Sequence, residues 1–213
     1  TRLGMGNSAA FDGTGDYLTV PDSDDFYFGT GDFTIDFWVR LNTVSKNQMF
    51  YSQGGAGSAS VYVFFSTASG LNFRVMNSGG TNNDATEGSV SGWAINKWYH
   101  LAAIRQGNNL TVYRNGIIIA TQTINATNEN LTTLVYIGAN FSDVPLENPD
   151  GNLDEVRIIK GRALTTEEIK VAASRRPYAV YTSPVVDASA SVQWDTVNWT
   201  EGGVNTGDGE TLY

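Results

Sequence analysis

Apolar and polar positions alternate along much of the chain, and the period of two is cleanest over residues 33–41. Phe33, Ile35, Phe37 and Val39 fall on one face of an extended strand, with Thr34, Asp36, Trp38 and Arg40 on the other. One face is core material and the other is chemically rich. Upstream, Ser8 to Pro21 reads as two short strands around an Asp/Gly turn, with the proline ending the second. Strands follow at 48–52, 61–66 and 71–76, separated by Gly/Ser/Asn turns, and the polar stretch 77–92 reads as a mobile rim loop. A three-stranded meander occupies 98–105, 110–114 and 117–123. Its second connection, Asn115-Gly116, is the strongest hairpin signal, because both residues of a type I′ turn need positive φ.

A strand over 134–138 leads into an acidic loop, 139–150, and the closing strand carries Leu153 and Val156 to Ile159. After a turn at Lys160-Gly161-Arg162, the only helical pattern runs over 165–173, capped by Thr165 or Thr166 with Glu168 close behind. Many short strands with one short helix predict an all-β fold, an antiparallel two-sheet jelly-roll sandwich.

Composition narrows the class. The 213 residues suffice for one large β domain with a sizeable core, and 41% are apolar. The formal charge of −9, from 13 basic and 22 acidic residues, argues against a nucleic-acid partner, which needs a basic surface. No apolar run approaches the roughly 20 residues that cross a bilayer, so membrane insertion is not expected and the chain reads as soluble. With no cysteine, disulfides, thiolate metal sites and cysteine nucleophiles are excluded. Asn-x-Ser/Thr sequons at Asn109, Asn125, Asn130, Asn140 and Asn198 matter only in a glycosylating secretory pathway.

The charge is uneven. Residues 1–176 hold 17 acids and all 13 bases, whereas 177–213 hold five acids and no base. Arg175-Arg-Pro177 reads as a boundary, which divides the chain into a jelly roll over 1–176 and a β-rich extension over 177–213. The extension reads as the start of a further β module in a longer protein, or as strands packing back on the jelly roll or on a second copy, which would make a homo-oligomer.

Several motifs occur in a telling order. They are Phe11-Asp-Gly-x-x-Asp-Tyr-Leu-x-Val, Phe33-Thr-Ile-x-Phe-Trp-Val, Trp98-Tyr-His-Leu-Ala, Val112-Tyr-Arg-Asn-Gly116, Ile137-Gly138, Gly151-x-Leu-Asp-Glu-Val-Arg-Ile and Arg162-Ala-Leu-Thr-x-x-Glu-Ile169. Over about residues 8–172 the chain resembles a laminin-G-like domain of the concanavalin A-like jelly-roll group. The resemblance implies two stacked antiparallel sheets that bind glycans or proteins at a rim or concave face, and an extracellular, cell-surface or virion setting.

Three chemistries are weighed on these residues. Calcium takes sets of about 6–8 hard oxygens, and Asp143, Glu147, Asp150, Asp154 and Glu155 crowd into a short span before Arg157. One candidate site uses Asp143, Glu147 and Asp150. Another uses Asp12, Asp154 and carbonyls near Gly13, tying the first turn to the last strand; a solvated acidic loop is the alternative to both. A glucanase-type cleft needs acids at alternating strand positions facing one another. Asp154 and Glu155 are adjacent and point to opposite faces of a strand, and His100, the only histidine, reads as a packed strand residue, so no catalytic residues are assigned.

Sugar binding asks for an aromatic platform with polar flanks. Trp38 with Asp36 and Arg40 supplies one; Trp93 and Tyr62 supply others, and Asn140 and Asp143 place polar groups on the 139–150 rim. The expected function is a non-catalytic module of a larger surface or phage-like virion protein, binding a glycan or glycosylated surface through rim loops. A structural assembly domain and a glycan-cleaving enzyme are the alternatives.

Overall fold

The computed structural model describes residues 8–55, 59–125, 127–140 and 147–174. The 139–150 loop is therefore described only at its ends; Asp143 and the 177–213 extension lie outside the described residues.

Among the described residues twelve strands form two antiparallel sheets of six. In the first sheet β1 (Ala9–Asp12), β12 (Asp150–Lys160), β3 (Phe33–Leu41), β8 (Trp98–Gln106), β9 (Asn109–Arg114) and β10 (Ile117–Thr123) lie side by side in that order. In the second the order is β2 (Leu18–Val20), β11 (Val135–Ile137), β4 (Gln48–Gly54), β5 (Ser60–Ser66), β6 (Gly70–Met76) and β7 (Asn82–Thr86). The Asp/Gly turn after β1 is thus a crossing between sheets rather than a hairpin.

Alternation on β3 places Phe33, Ile35, Phe37 and Val39 between the sheets, where all four are buried. Phe33 meets Phe73 of the opposite sheet edge-on at 5.7 Å, and Phe37 meets Phe50 at 5.4 Å. Burial of such side chains contributes roughly 1.5–3 kcal/mol each, and this two-sided apolar layer is what holds the sheets together. The Asn115-Gly116 connection has φ of 51° and 79°, as a type I′ turn requires. Asn115 Oδ1 also accepts the His100 amide, which ties that hairpin to β8.

Two expectations change. The polar loop 77–92 contains β7, because the β6 edge offers a ladder that Asn82–Thr86 pairs with, whatever its own low strand propensity. The chemically rich face of β3 is also closed. Helix α1 (Thr166–Ser174) lies against the outer side of the first sheet, and Leu164 and Ile169 pack on Ala102, Ile104 and Tyr113.

Thr165 caps that helix in a reciprocal box: the Glu168 amide donates to Thr165 Oγ1 at 3.3 Å, and the Thr165 amide donates to Glu168 Oε2 at 2.9 Å. Thr165→Ala is expected to cost about 1 kcal/mol. That should appear as a fall in Tm of roughly 2–4 °C by calorimetry. Among the described residues no helix is long and apolar enough to cross a membrane.

Candidate functional site

The outer face of the second sheet carries the arrangement best suited to a ligand. Register places Thr19, Tyr136, Ser52, Tyr62, Arg74 and Asp84 directly opposite one another, strand after strand, in one cross-sheet row. Residues opposite one another in antiparallel strands share a face, so this row runs the width of the sheet. Arg74 holds Asp84 through two hydrogen bonds, Nε to Oδ1 at 2.8 Å and Nη2 to Oδ2 at 2.7 Å, and its guanidinium stands 5.4 Å over the Phe64 ring. The pairing raises the Arg74 pKa, Asp84 being the main cause. At the other end Tyr17, half exposed at 50%, packs on Tyr136 with ring centroids 5.7 Å apart.

The ends of the 139–150 loop meet this face. Ser52 Oγ donates to the Ala139 carbonyl at 2.7 Å, and Asn140 Nδ2 donates to Glu147 Oε2 at 2.8 Å, clipping the two ends together. Burial pushes the Tyr62 hydroxyl pKa up, and the Glu147 carboxylate adds to that shift. Tyr62 is a covered residue at the centre of the row; the open groups are Tyr17 and Tyr136 at one end and Phe64, Arg74 and Asp84 at the other.

The aromatic platforms expected on the other sheet and on its rim are differently placed. Trp38 is only 2% exposed and packs edge-on against His100, so its ring offers no open face for stacking. Asp36, beside it, is buried between Arg157, which donates from Nε at 2.8 Å and Nη2 at 2.6 Å, and His100 Nε2 at 3.2 Å. Burial pushes the Asp36 pKa up, but the hydrogen bonds from His100 and Arg157 outweigh it and hold the carboxyl below the usual aspartate value. Arg40 turns away to Asn96, Asn42 and Asn152. Trp93 is not a loop residue open to solvent. It packs on Phe65 and Tyr99 under the Arg114 guanidinium and donates to Glu87 Oε2 at 2.8 Å, so its ring is core.

The metal candidates separate as well. Strand register sets Asp12 opposite Asp150, and Leu153 opposite Ala9, which carries Asp154 well away from Asp12. At about 3.3 Å per residue the two carboxylates sit roughly 13 Å apart along the ladder and cannot share an ion. Asp154 Oδ1 instead accepts the Glu155 amide at 2.8 Å. The Gly13 carbonyl accepts the Lys46 ammonium at 2.7 Å, so a side-chain cation stands where a metal was expected. Asp12 is held below the ordinary aspartate pKa, chiefly by the Thr14 amide and hydroxyl, with Lys46 contributing.

In the second set Glu147 pairs with Asn140 and Asp150 accepts Asn42 Nδ2 at 2.9 Å, while Asp143 lies outside the described residues. Among the described residues no three acidic side chains converge, so these do not by themselves fit calcium. Lys46→Met should lower the unfolding free energy by about 1 kcal/mol, read from urea denaturation, since it leaves the Gly13 carbonyl without its charged donor.

Nor do Asp154 and Glu155 point to opposite faces. A bulge between Asp154 and Arg157, with Glu155 at φ 49°, breaks the alternation and puts Arg157 opposite Asp36. The residues missed in sequence are Tyr17, Tyr136, Arg74 and Asp84. The signal that finds three of them is hairpin register across β4 to β7 and β11; Tyr17 is marked only by its place before β2.

Comparison with known proteins agrees with this architecture. Comparison with curated protein sequences returned no match. Among solved structures, domain 4 of AbnA, a GH43 extracellular arabinanase from Geobacillus stearothermophilus solved with arabinotriose, superposes with a TM-score of 0.65 at 18% identity, covering 79% of this chain and 77% of that one. Domains LG4-5 of the mouse laminin alpha1 chain give 0.57 at 16% identity, covering 73% and 41%. The CBM40 of Ruminococcus gnavus IT-sialidase, bound to α2,3 sialyllactose, gives 0.52 at 14% identity, covering 75% and 97%. At these identities the likeness establishes the fold. The Laminin_G_3 model, described as the concanavalin A-like lectin/glucanases superfamily, matches residues 12–170, and the chain belongs to that family.

Proposed function

We propose that the chain is a non-catalytic carbohydrate-binding module that lays an oligosaccharide across the outer face of its second sheet. The cross-strand row from Tyr136 to Asp84 carries this reading. Its four interstrand steps of about 4.8 Å give a track of roughly 19 Å, the length of several sugar rings. Tyr17 and Tyr136 supply apolar faces for stacking at one end, and Phe64, Arg74 and Asp84 supply an aromatic and two charged groups at the other. Arg74 and Asp84 neutralise one another, which favours a neutral glycan over a charged one.

Domain 4 of the arabinanase and the sialidase CBM40, both solved with oligosaccharides, support the assignment to carbohydrate. A non-catalytic role is supported by the engagement of the acids nearest the row. Asp84 is held by Arg74 and Glu147 by Asn140, so neither stands as a free partner in a carboxylate pair. In this reading the module serves adhesion or host recognition within a larger extracellular or virion protein.

Tyr17→Ala and Arg74→Ala test the face without disturbing the core. Each should weaken binding of the best ligand from a glycan array by about tenfold, measured by calorimetry, with far-UV dichroism unchanged.

A further inference from the structure

The cover that α1 lays on the first sheet stops short of one end of β3. Its contacts fall on Ala102 and Ile104, opposite Asp36 and Thr34, whereas Arg40 lies farther along the strand and is partly exposed. Asn152 of β12 stands opposite Arg40 on one side and Trp98 of β8 on the other. Arg74, Arg114, Arg157 and Arg162 each hold a carboxylate, but Arg40 bonds only to neutral amides. Its Nη2 donates to Asn96 Oδ1 at 2.7 Å, and its Nη1 to Asn42 Oδ1 and Asn152 Oδ1 at 3.4 Å. The charge is thus not neutralised, and among the described residues the Nε–H has no acceptor. Lys97, exposed and next to Trp98 in the chain, is likewise without a carboxylate partner among the described residues.

The groups gathered here are donors. A guanidinium can only donate, so it turns each asparagine oxygen toward itself and each amide nitrogen outward. Asn42 Nδ2 is taken by Asp150, whereas Asn96 Nδ2 and Asn152 Nδ2 have no partner among the described residues. Trp98 is partly exposed, and its unbonded indole N–H, unlike that of Trp38, is open to solvent. Accessible donors around an unneutralised guanidinium select a group that only accepts, which is a carboxylate. The Asn96 amide donates to the Leu41 carbonyl at 2.7 Å, which holds that donor in place before a ligand arrives.

Two neighbours narrow the choice. Asp150 and Asp154 lie on the same face of β12, on either side of Asn152, and repel an anion. The repulsion is larger for a doubly charged phosphate or sulfate, and it leaves a single carboxylate the side of Arg40 toward Trp98. Cross-strand partners such as Arg40 and Trp98 have Cβ atoms about 5 Å apart, so the ligand must carry its carboxylate close to the surface that meets the indole. A hexuronic acid does so, because the carboxylate is attached directly to the pyranose ring.

We propose that Arg40 and Trp98 form a binding site for an acidic sugar, with the carboxylate of a hexuronate taken by Arg40 and Asn96 and its ring resting against Trp98. The site is independent of the second-sheet face and of its preference for a neutral glycan, and Tyr17→Ala leaves it intact.

The test is an NMR titration of the ¹⁵N-labelled full chain at constant ionic strength with methyl glucuronide, methyl α-D-glucopyranoside and sodium acetate. The indole N–H of Trp98, assigned by its loss in Trp98→Leu, should shift saturably with the glucuronide, at about fivefold lower concentration than with the ring alone or the carboxylate alone. Arg40→Gln should weaken the glucuronide response at least about tenfold. Asp154→Asn, which removes a repelling charge and touches none of the proposed contacts, should tighten it, and this variant decides the matter if Arg40→Gln fails to fold. No saturable shift with the glucuronide, equal binding of acetate or of the glucoside, an unchanged response in a folded Arg40→Gln, no tightening in Asp154→Asn, or loss of the response in Tyr17→Ala would overturn the proposal.

Discussion

Arg157→Met is expected to destabilise the domain by about 3 kcal/mol at neutral pH, because it strips a buried carboxylate of its two strongest hydrogen bonds. Asp36 is 2% exposed and would keep only His100 as partner. The Arg157 side chain itself is 48% exposed, so its own desolvation is modest and the loss is carried by the stranded acid. The dependence on pH has a definite sign. The Asp36 pKa is depressed in the folded protein, so its contribution is fully present above the unfolded value of about 3.9 and is lost as pH falls through the folded value. The difference between wild type and Arg157→Met should therefore be largest at neutral pH and shrink below about pH 4. Urea unfolding at several pH values measures it. Arg162, whose pair with Glu168 is solvent-exposed, is the comparison, and Arg162→Met should cost no more than about 1 kcal/mol.

Gly151→Ala is expected to cost on the order of 3–5 kcal/mol, a large part of the stability of an ordinary domain. Gly151 lies mid-sheet, paired with Phe11 on one side and Leu41 on the other. Its φ is 154°, and a Cβ there would come within 2.0 Å of the Arg40 carbonyl oxygen and 3.0 Å of the Leu41 Cα. Both are backbone atoms inside a ladder, so nothing can swing aside. Gly161 separates this clash from conformational strain alone. Its φ is 77° with nothing within 4 Å of a Cβ, so Gly161→Ala should cost only about 1–2 kcal/mol. Equal losses in the two variants, read from urea midpoints, would contradict the close-approach account.

The sequence carried the sandwich well, because strands with an apolar and a polar face write them as a period of two, whether or not the polar face is later covered. Phe33 to Leu41 is the clearest case, and the Asn115-Gly116 hairpin and the Thr165 cap were equally legible, since each rests on local chemistry. The 82–86 strand was not, because its pairing comes from a neighbour's ladder rather than from its own side chains. Alternation also could not tell which outer face stays open. Trp38, Asp36 and Arg40 share a face as read, but α1 and the bulge at Glu155 close it, and that bulge exchanges Arg157 for Val156 opposite Asp36. Trp93 shows the same limit, being drawn from a polar stretch into the core by Phe65, Tyr99 and Glu87. The row on the second sheet needs the register of several strand pairs at once, which no single segment states.

That row is the centre of the functional reading, and a glycan array probed with wild type, Tyr17→Ala and Arg74→Ala tests it most directly. The account predicts that wild type binds a neutral oligosaccharide of several units, and that both variants lose about tenfold in affinity for it while remaining folded. Absence of glycan binding by wild type, or full binding by both variants, would contradict it.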